Sequence, residues 1–142
     1  MIVYRICDER EKELLLNNGE FIIGNNWNIN ASSTHNYNSE VKYIHFFNEI
    51  ESVLLFNSVK GYYICEYDID DDIVNKYTGV GNYYDDNGDM VSAMECAIPN
   101  SELSFSNLES IREIKDTLYY IDLMNLDRKT NIIYKRENSK KL

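Results

Sequence analysis

The chain has 142 residues, of which 44% are hydrophobic and 13% aromatic. This length and apolar content exclude wholesale disorder and predict one globular domain with a core of its own. The formal net charge of −10 excludes a broad nucleic-acid-binding surface and contact with an anionic membrane. The sequence has neither a basic start followed by an apolar run nor about 18 consecutive apolar residues, which predicts a cytoplasmic protein.

Capping signals mark the first helix. Residues 2–6 predict a strand whose apolar–polar alternation is broken at Arg5. After it, Asp8 as N-cap, Glu11 at the reciprocal position of a capping box and Gly19 as C-cap predict a helix. A short strand, EFIIG, is predicted next. The polar stretch of residues 24–37 then predicts a long loop, which in a compact domain is usually functional or mobile.

The middle of the chain repeats this succession of strands and helices. Residues 41–47 predict a strand, and a helix is predicted after it with Asn48 as N-cap. Residues 61–69 form the clearest strand pattern in the sequence. An acidic turn, DIDDD, and a short helix ending at Tyr77 come next. This turn and the later DDNGD lack the spacing and distal glutamate of a calcium loop, so we interpret their carboxylates as solvated.

The remainder of the chain is predicted to be mainly strand. The glycine pair in GVG indicates a turn, because the segment lacks the third glycine of a dinucleotide fingerprint. Strands are predicted around Glu95 and at residues 108–114, whereas residues 117–124 are compatible with strand or helix. The predicted fold is α+β, a compact mixed sheet with short helices in one domain, residues 1–134, before a basic frayed tail, residues 135–142.

The cysteines and histidines predict no metal site. Cys7, Cys65 and Cys96 are odd in number, lie in apolar stretches and form no C-x-x-C pair, which argues against a disulfide framework and against zinc. His35 and His45 have no second ligand at a metal-binding spacing. His45 is interpreted as a packed strand residue or a spare general base.

A charged residue interrupts the apolar strand MVSAMECAIP. Alternation divides this strand between two faces, with Val91, Ala93, Glu95 and Ala97 on one and Met94, Cys96 and Ile98 on the other. A lone glutamate in a strand is ordinarily an edge residue that faces water. The alternative is that Glu95 lies in a cleft where its charge serves binding or catalysis.

Four features occur in a fixed order along residues 2–114, namely Arg5 on the first strand, the loop ASSTHN, the strand segment HFF, and Glu95 within MECAIP. This order resembles the R-S-E signature of the arginine-type ADP-ribosyltransferases, in which an arginine, a serine or threonine cluster and a glutamate lie on successive strands. The turn that often follows that glutamate, E-x-x-I-P-x-x-x-L, is matched by ECAIPNSEL. The resemblance implies an ADP-ribosyltransferase-like fold of minimal size.

The resemblance also implies a reaction in which NAD, as co-substrate, is split at its nicotinamide–ribose bond and ADP-ribose is transferred. Such cleavage passes through an oxocarbenium-like state, which a nearby carboxylate stabilises. In the family arrangement Glu95 is the catalytic residue, hydrogen-bonded to a hydroxyl of the nicotinamide ribose, and Arg5 holds a phosphate of NAD. Both residues are then expected on neighbouring strands lining one cleft. Side chains of Arg5 and Glu95 on opposite faces of the sheet would overturn the enzyme hypothesis in this form.

Further site residues follow from the resemblance. The cofactor-binding residues expected besides Arg5 are Ser32, Ser33 and Thr34, which would hydrogen-bond the ribose beside the catalytic strand, and Phe46 and Phe47, which would flank the nicotinamide. The segment GNYYDDNGDM stands where the family places its acceptor-recognition loop, so Tyr83 or Tyr84 is expected to contact the substrate. Ala93 stands where many arginine-modifying members have glutamate or glutamine, and this leaves the acceptor open.

Three functions remain compatible with the sequence. The first is an NAD-dependent mono-ADP-ribosyltransferase, a glycosyltransferase acting on a protein or nucleic-acid target with protein favoured, in a phage or mobile-element protein that inactivates host machinery. The second is a non-enzymatic acidic binding or inhibitor module that mimics nucleic-acid charge, supported by acidic clusters at residues 68–72 and 85–89. The third is a relative of the enzyme fold without NAD chemistry. Taken alone, Arg5 is typical of a surface or ion-pairing residue.

Overall fold

The structure is a computed structural model that describes residues 1–21, 30–33, 40–55, 63–84, 87–114 and 130–136. Strands and α-helices both occur in these ranges, so the predicted α+β class is confirmed. The elements are, in order, β1 (Ile2–Cys7), α1 (Glu9–Asn18), β2 (Asn30–Ser33), β3 (Tyr43–Phe47), β4 (Tyr63–Asp68), α2 (Asp71–Tyr77), β5 (Thr78–Tyr84), β6 (Met90–Pro99), β7 (Leu108–Ile114) and β8 (Thr130–Lys135). Short 3-10 helices span Ile50–Leu55, Asn100–Glu102 and Phe105–Asn107. No helix within the described ranges combines the length and the apolarity needed to cross a bilayer.

The strands form one sheet in the order β2-β5-β6-β3-β1-β4-β7-β8. Every strand pair among the described residues is antiparallel, so the predicted mixed sheet is wrong. The first strand of the chain is central, because β1 lies between β3 and β4. It pairs with β4 along its whole length, from Ile2 opposite Asp68 to Cys7 opposite Tyr63. β5 and β6 form a local hairpin, in which Thr78 is opposite Cys96.

Helix α1 is held by caps at both of its ends. The side chain of Asp8 accepts a hydrogen bond of 2.9 Å from the backbone N–H of Glu11. Gly19 has a φ of 67°, and its N–H donates to the carbonyl of Leu15 at 2.9 Å. A left-handed C-cap strains any residue with a Cβ, which explains glycine there. The predicted N-cap and C-cap are confirmed. The predicted capping box is wrong, because the Glu11 carboxylate accepts from Arg5. Helix α1 lies so that Glu11 and Leu15, one turn apart, are buried.

One face of the sheet, here called the helix-covered face, packs under α1 and α2. Its buried core draws on most strands and on both helices, with Val3, Cys7, Leu15, Ile44, Phe46, Cys65, Tyr67, Val74, Cys96, Ile98, Leu108 and Ile111. Phe21 packs edge-on against Phe46, with ring centroids 5.9 Å apart. The Sγ atoms of Cys7 and Cys65 are 3.5 Å apart, and both residues are free thiols.

The opposite face of the sheet is buried as well. Ile6 on β1, Phe47 on β3, Ile64 on β4 and Ala97 on β6 are all buried. The 3-10 helix Ile50–Leu55 lies against β1, β3 and β6. Strands that bury both faces read as continuous apolar runs rather than as a strict alternation. This explains why the strand around Glu95 is apolar on both sides.

Several segments differ from their predicted structure. Asn30–Ser33 is a strand rather than a loop, because it pairs with β5. The glycine pair of GVG lies inside β5 rather than in a turn. The sequence did not indicate β8, which extends through Lys135 and so carries the domain beyond its predicted last residue, 134. The helix predicted after β3 is a 3-10 helix. Residues 22–24 and 117–124, for which predictions were also made, lie outside the described residues.

Candidate functional site

The strand register decides which predicted site residues meet. Tyr4 is opposite Phe47, and Phe47 is opposite Glu95, so these three side chains lie on the same face. Arg5 follows Tyr4 in the strand and is opposite Cys65, which belongs to the helix-covered face. Arg5 and Glu95 therefore lie on opposite faces, and β3 separates their strands. The prediction that the two residues line one cleft from neighbouring strands is wrong.

Arg5 is held in a buried ion pair. Its Nε and Nη2 atoms donate hydrogen bonds of 2.8 Å to the two carboxylate oxygens of Glu11, and Nη1 donates to the carbonyl of His45 at 3.0 Å. The residue is 8% exposed, and its guanidinium carbon lies 5.6 Å from the ring centroid of Phe21. Burial alone would lower the pKa of Arg5, but the hydrogen bonds and the charge of Glu11 raise it. This geometry corresponds to the ion-pairing alternative and leaves the guanidinium turned into the core.

Glu95 is a buried residue of an interior strand. It is 1% exposed, and β6 lies between β5 and β3. A Cβ atom placed on Gly81 would lie 2.7 Å from both Cδ and Oε1 of Glu95, so the carboxylate rests directly on the backbone of β5. The expectation of an edge residue facing water is wrong, and so is that of a solvent-filled cleft. Gly81, which the sequence analysis assigned to a turn, lies inside a strand and makes room for this side chain.

Aromatic side chains flank the Glu95 carboxylate. The rings of Phe47 and Tyr83, both buried, meet edge to face with centroids 5.7 Å apart. A Cβ on Gly81 would also lie 2.9 Å from Cε2 of Tyr83. On the other side of the same strand, burial and the charge of Glu95 raise the pKa of the Cys96 thiol to about 12. Glu95 with Gly81, Phe47 and Tyr83 is here called the Glu95 cluster.

The other predicted residues are divided between the two faces. Ser33 is opposite Gly81 and Ser32 is opposite Asn82, so the serine segment is one strand further from β6 than predicted. Thr34 lies outside the described residues. Phe46 belongs to the helix-covered face, and Tyr84 is exposed at the end of β5. The structure thus brings Glu95, Phe47 and Tyr83 together and separates from them Arg5, Phe46 and Tyr84.

A second polar cluster continues the row of Glu95 across the sheet. Tyr4 is opposite Glu66, which is in turn opposite Ser110. One carboxylate oxygen of Glu66 accepts hydrogen bonds from the hydroxyl of Ser110 and from Nε of Arg112, the latter at 3.0 Å. Burial raises the pKa of Tyr4, and the charges of Glu66 and Glu51 raise it further. The Glu66 carboxylate is thus stabilised within the fold by an ion pair, as Glu11 is.

Exposed carboxylates gather at the end of the sheet where α2 begins. Asp70 is exposed at the N-cap of α2, and Asp71 and Asp72 are exposed in its first turn. Glu102 accepts a hydrogen bond from the hydroxyl of Tyr77, the last residue of the same helix. The N-terminal ammonium group forms ion pairs with Asp71 at 3.0 Å and with Asp68 at 3.1 Å. These five carboxylates, Asp68, Asp70, Asp71, Asp72 and Glu102, are here called the acidic end.

The other geometric features of the described residues add no catalytic group. A surface hollow of about 360 Å³ runs along the outer side of α1, lined by Arg10, Glu13, Leu14, Asn17 and Asn18. Among the described residues, no three His, Cys, Asp or Glu side chains are placed to hold a metal ion.

Sequence reasoning did not identify two residues that define these arrangements, Glu11 and Gly81. A signal for the first was present, since Val3, Arg5 and Cys7 share a strand face and Glu11 precedes Leu15 by one helical turn. Two charges on apolar faces of adjacent elements indicate a buried ion pair. No sequence signal pointed to Gly81. Glycine is required there because a Cβ would clash with Glu95, and this depends on the register of β5 against β6.

Comparisons of the chain with protein-family models, with curated proteins and with solved structures find no match. Similarity therefore assigns the chain to no family.

Proposed function

We propose that this protein is a non-enzymatic binding module that presents its acidic end to a basic partner. The observation that carries the proposal is the group of three consecutive exposed aspartates, Asp70, Asp71 and Asp72, with Glu102 beside the same helix. A net charge of −10 on 142 residues adds a long-range field of the same sign. The partner class that fits is a nucleic-acid-binding protein, whose cationic groove accepts carboxylates in place of phosphates.

The positions of Arg5 and Glu95 support binding over catalysis. The arrangement inferred from the resemblance needs a phosphate-binding arginine and a carboxylate in one cleft. Arg5 instead donates to Glu11 beneath α1, and Glu95 lies on the other face. The acidic end does not depend on either residue.

The test is competition with DNA. A panel of purified DNA-binding proteins, each carrying a labelled duplex, is titrated with this protein and with a variant carrying Asp70→Asn, Asp71→Asn and Asp72→Asn. Wild type should displace the duplex from at least one member. A higher concentration of the variant should be needed to displace the same fraction of duplex. Displacement by the variant should also depend less on salt concentration, because three charges are removed.

A matched control removes the same charge elsewhere. Glu13→Gln, Glu20→Gln and Glu49→Gln change three exposed carboxylates outside the acidic end. This control should displace DNA much as the wild type does. Equal weakening by the two triple variants would mean that net charge alone drives binding, and the absence of displacement from every panel member would contradict the proposal.

A second candidate is NAD-dependent mono-ADP-ribosyl transfer to a macromolecular target by an ADP-ribosyltransferase-like domain. The observation in its favour is that Glu95 and Phe47 share a face, and that Ser33 is opposite Gly81, the glycine beneath the carboxylate. Parts of the serine and glutamate signature are therefore neighbours, although Arg5 is not. This candidate differs from the hypothesis inferred from the resemblance, because Arg5 takes no part in it. It requires Glu95 and Phe47, both buried, to become accessible to NAD. Glu95 then stabilises the oxocarbenium-like state and Phe47 flanks the nicotinamide.

Transfer from labelled NAD by wild type and by Glu95→Gln tests this candidate. Loss of one such electrostatic contact should slow transfer on the order of 10²–10³-fold. Glu49→Gln, an exposed change next to Asn48, whose N–H donates to the carbonyl of Met94 on β6, serves as the control. Because Glu95 is buried, the variants are compared at matched thermal stability. Equal labelling by both proteins, or none by either, would remove Glu95 from catalysis. The triple aspartate variant should transfer as the wild type does, which separates the two candidates.

A further inference from the structure

Exposed apolar side chains concentrate in two places of the described sheet. Tyr84, Met90 and Met94 on the β5–β6 hairpin and Ile132 and Ile133 on β8 are each 41% to 54% exposed. Large apolar side chains that are exposed next to one another mark interaction surfaces more often than scattered ones do. The two groups lie on strands separated by β3, β1, β4 and β7, so they are not parts of one surface.

The first group forms a stripe along the hairpin. Tyr84 is opposite Met90 and Val80 is opposite Met94, while Asn82 and Ser92, hydrogen-bonded at 2.6 Å, lie between the two apolar pairs. Val80, Tyr84, Met90 and Met94 are here called the hairpin patch. Asp89, which is exposed, adjoins this patch at its outer end. Methionine adapts its shape to a partner, so the patch is an apolar contact surface with an acidic rim.

The second group lies on the strand at the edge of the sheet. Arg112 is opposite Ile132 and Ile111 is opposite Tyr134, which leaves Ile133 as the extra residue of a bulge. Ile132, Ile133 and the exposed Lys135 are here called the edge patch. The chain around it is basic, since six of the 14 basic residues and a single acidic one, Glu137, fall within residues 128–142. Charge and bulges on an edge strand limit indiscriminate strand pairing and leave specific contacts available.

We propose that the hairpin patch of one copy of this chain binds the edge patch of a second copy. Both patches expose large apolar side chains, which in the hairpin patch lie on either side of the Asn82–Ser92 pair. Their charges are complementary, with Asp89 beside one patch and Lys135 in the other. Four strands separate β6 from β8 within one sheet, so the two patches meet only between copies. Because each copy contributes a different surface, the contact is head-to-tail and extends from copy to copy. The association requires neither of the functions proposed above.

Sedimentation from micromolar to millimolar protein tests the contact. For the wild type, the average mass should rise past that of a dimer, and added salt should lower it. A hairpin variant, Met90→Ser/Met94→Ser, and an edge variant, Ile132→Ser/Ile133→Ser, should each stay monomeric. Mixed in equal amounts, the two variants should form a one-to-one dimer and nothing larger, because each retains the patch that the other lacks.

The control carries two substitutions at exposed helix positions, Asn17→Ser and Asn75→Ser, and should associate as the wild type does. Thermal unfolding verifies that every variant is folded. If the serine variants do not fold, Asp89→Lys and Lys135→Glu replace them. Each charge reversal should weaken association alone, and mixing the two should restore it.

Three outcomes would overturn the proposal. The first is a wild type that stays monomeric over the whole concentration range. The second is an edge variant that still associates by itself, since the hairpin patch would then bind its own copy. The third is a mixture of the two folded variants that contains no dimer, which would assign the exposed side chains to a different partner.

Discussion

The two faces of the sheet each bury a carboxylate, and they accommodate it differently. On the helix-covered face, Glu11 accepts two hydrogen bonds of 2.8 Å from Arg5, so that both charges leave water together. On the opposite face, the Glu95 carboxylate rests on Gly81 between the strands that flank it. Arg5 thus has a structural explanation within the fold. The Glu95 side chain fits because Gly81 has no Cβ.

The largest expected effect is on the helix-covered face. Arg5→Ala should lower the free energy of unfolding by about 3–5 kcal/mol, because it leaves Glu11 charged and buried without its guanidinium. Urea unfolding measures this change. Arg10→Ala, an exposed change on α1, should cost less than about 0.5 kcal/mol and serves as the control.

A double variant sharpens this prediction. Arg5→Met with Glu11→Leu removes both charges and keeps similar volumes, so it should recover most of the stability lost in Arg5→Ala. If Arg5→Ala itself unfolds at the same urea concentration as the wild type, the ion pair contributes little and the comparison between the two faces fails.

On the opposite face, Gly81→Ala should cost about 1–3 kcal/mol. The new Cβ would lie 2.7 Å from Cδ and Oε1 of Glu95, and the buried side chain has little room to move. In a Glu95→Ala background the same change should cost less, since the clashing carboxylate is gone. Urea unfolding of the four proteins measures this coupling. Strictly additive costs would show that Glu95 does not rest on Gly81.

Local signals predicted much of the fold. The caps of α1, the strands at β1, β3, β4, β6 and β7, and helix α2 follow from residues close together in sequence. Strand β2 escaped prediction because Asn30–Ser33 is polar and becomes a strand through pairing with β5. The glycines of β5 indicated a turn, yet Gly81 is required by a side chain on the neighbouring strand.

The site was predicted less well, because its geometry depends on register. Neighbouring residues in one strand point to opposite faces, so a one-residue step decides whether Tyr4 or Arg5 shares a face with Glu95. For the same reason Phe46 and Phe47 lie on opposite faces of the sheet, and so do Tyr83 and Tyr84. Residue type and order along the chain do not contain this information.

The thiol behind Glu95 makes stability sensitive to alkaline pH. Burial, with the charge of Glu95, raises the pKa of Cys96 from its ordinary 9.0 to about 12. Below pH 9 the thiol is protonated in both states. Between about pH 9 and 12 the unfolded thiol ionises first, so stability should fall with a slope of about 1.4 kcal/mol per pH unit from this group.

Cys96→Ala isolates that contribution. Its unfolding free energy should fall less steeply than that of the wild type over the same pH range, as measured by urea midpoints at several alkaline pH values. Burial and neighbouring groups also raise the pKa of Tyr67, which is unchanged in the variant and keeps its own part of the slope. Parallel pH profiles for the two proteins would show that Cys96 titrates as an exposed thiol.

The smallest expected effect concerns the helices that cover the core. Asp8→Ala should cost about 1 kcal/mol, because its side chain caps α1. Asp70→Ala is the matched variant, since Asp70 occupies the same position before α2 but makes no side-chain capping hydrogen bond. Asp70→Ala should lower the free energy of unfolding by no more than a few tenths of the Asp8→Ala cost. Equal costs in thermal unfolding would mean that helix dipoles rather than the cap bond are being measured.

The central place of β1 has a consequence for how the chain folds during its synthesis. β1 is synthesised before both of its neighbours in the sheet, β3 and β4, which end at Phe47 and Asp68. Closing such long loops slows folding, because chain entropy is lost before the pairing contacts form. The β5–β6 hairpin closes only a short loop, because its strands follow each other directly in the chain. We therefore expect the apolar first strand to emerge from the ribosome unpaired and to depend on its capped helix, or on a chaperone, until β4 is complete.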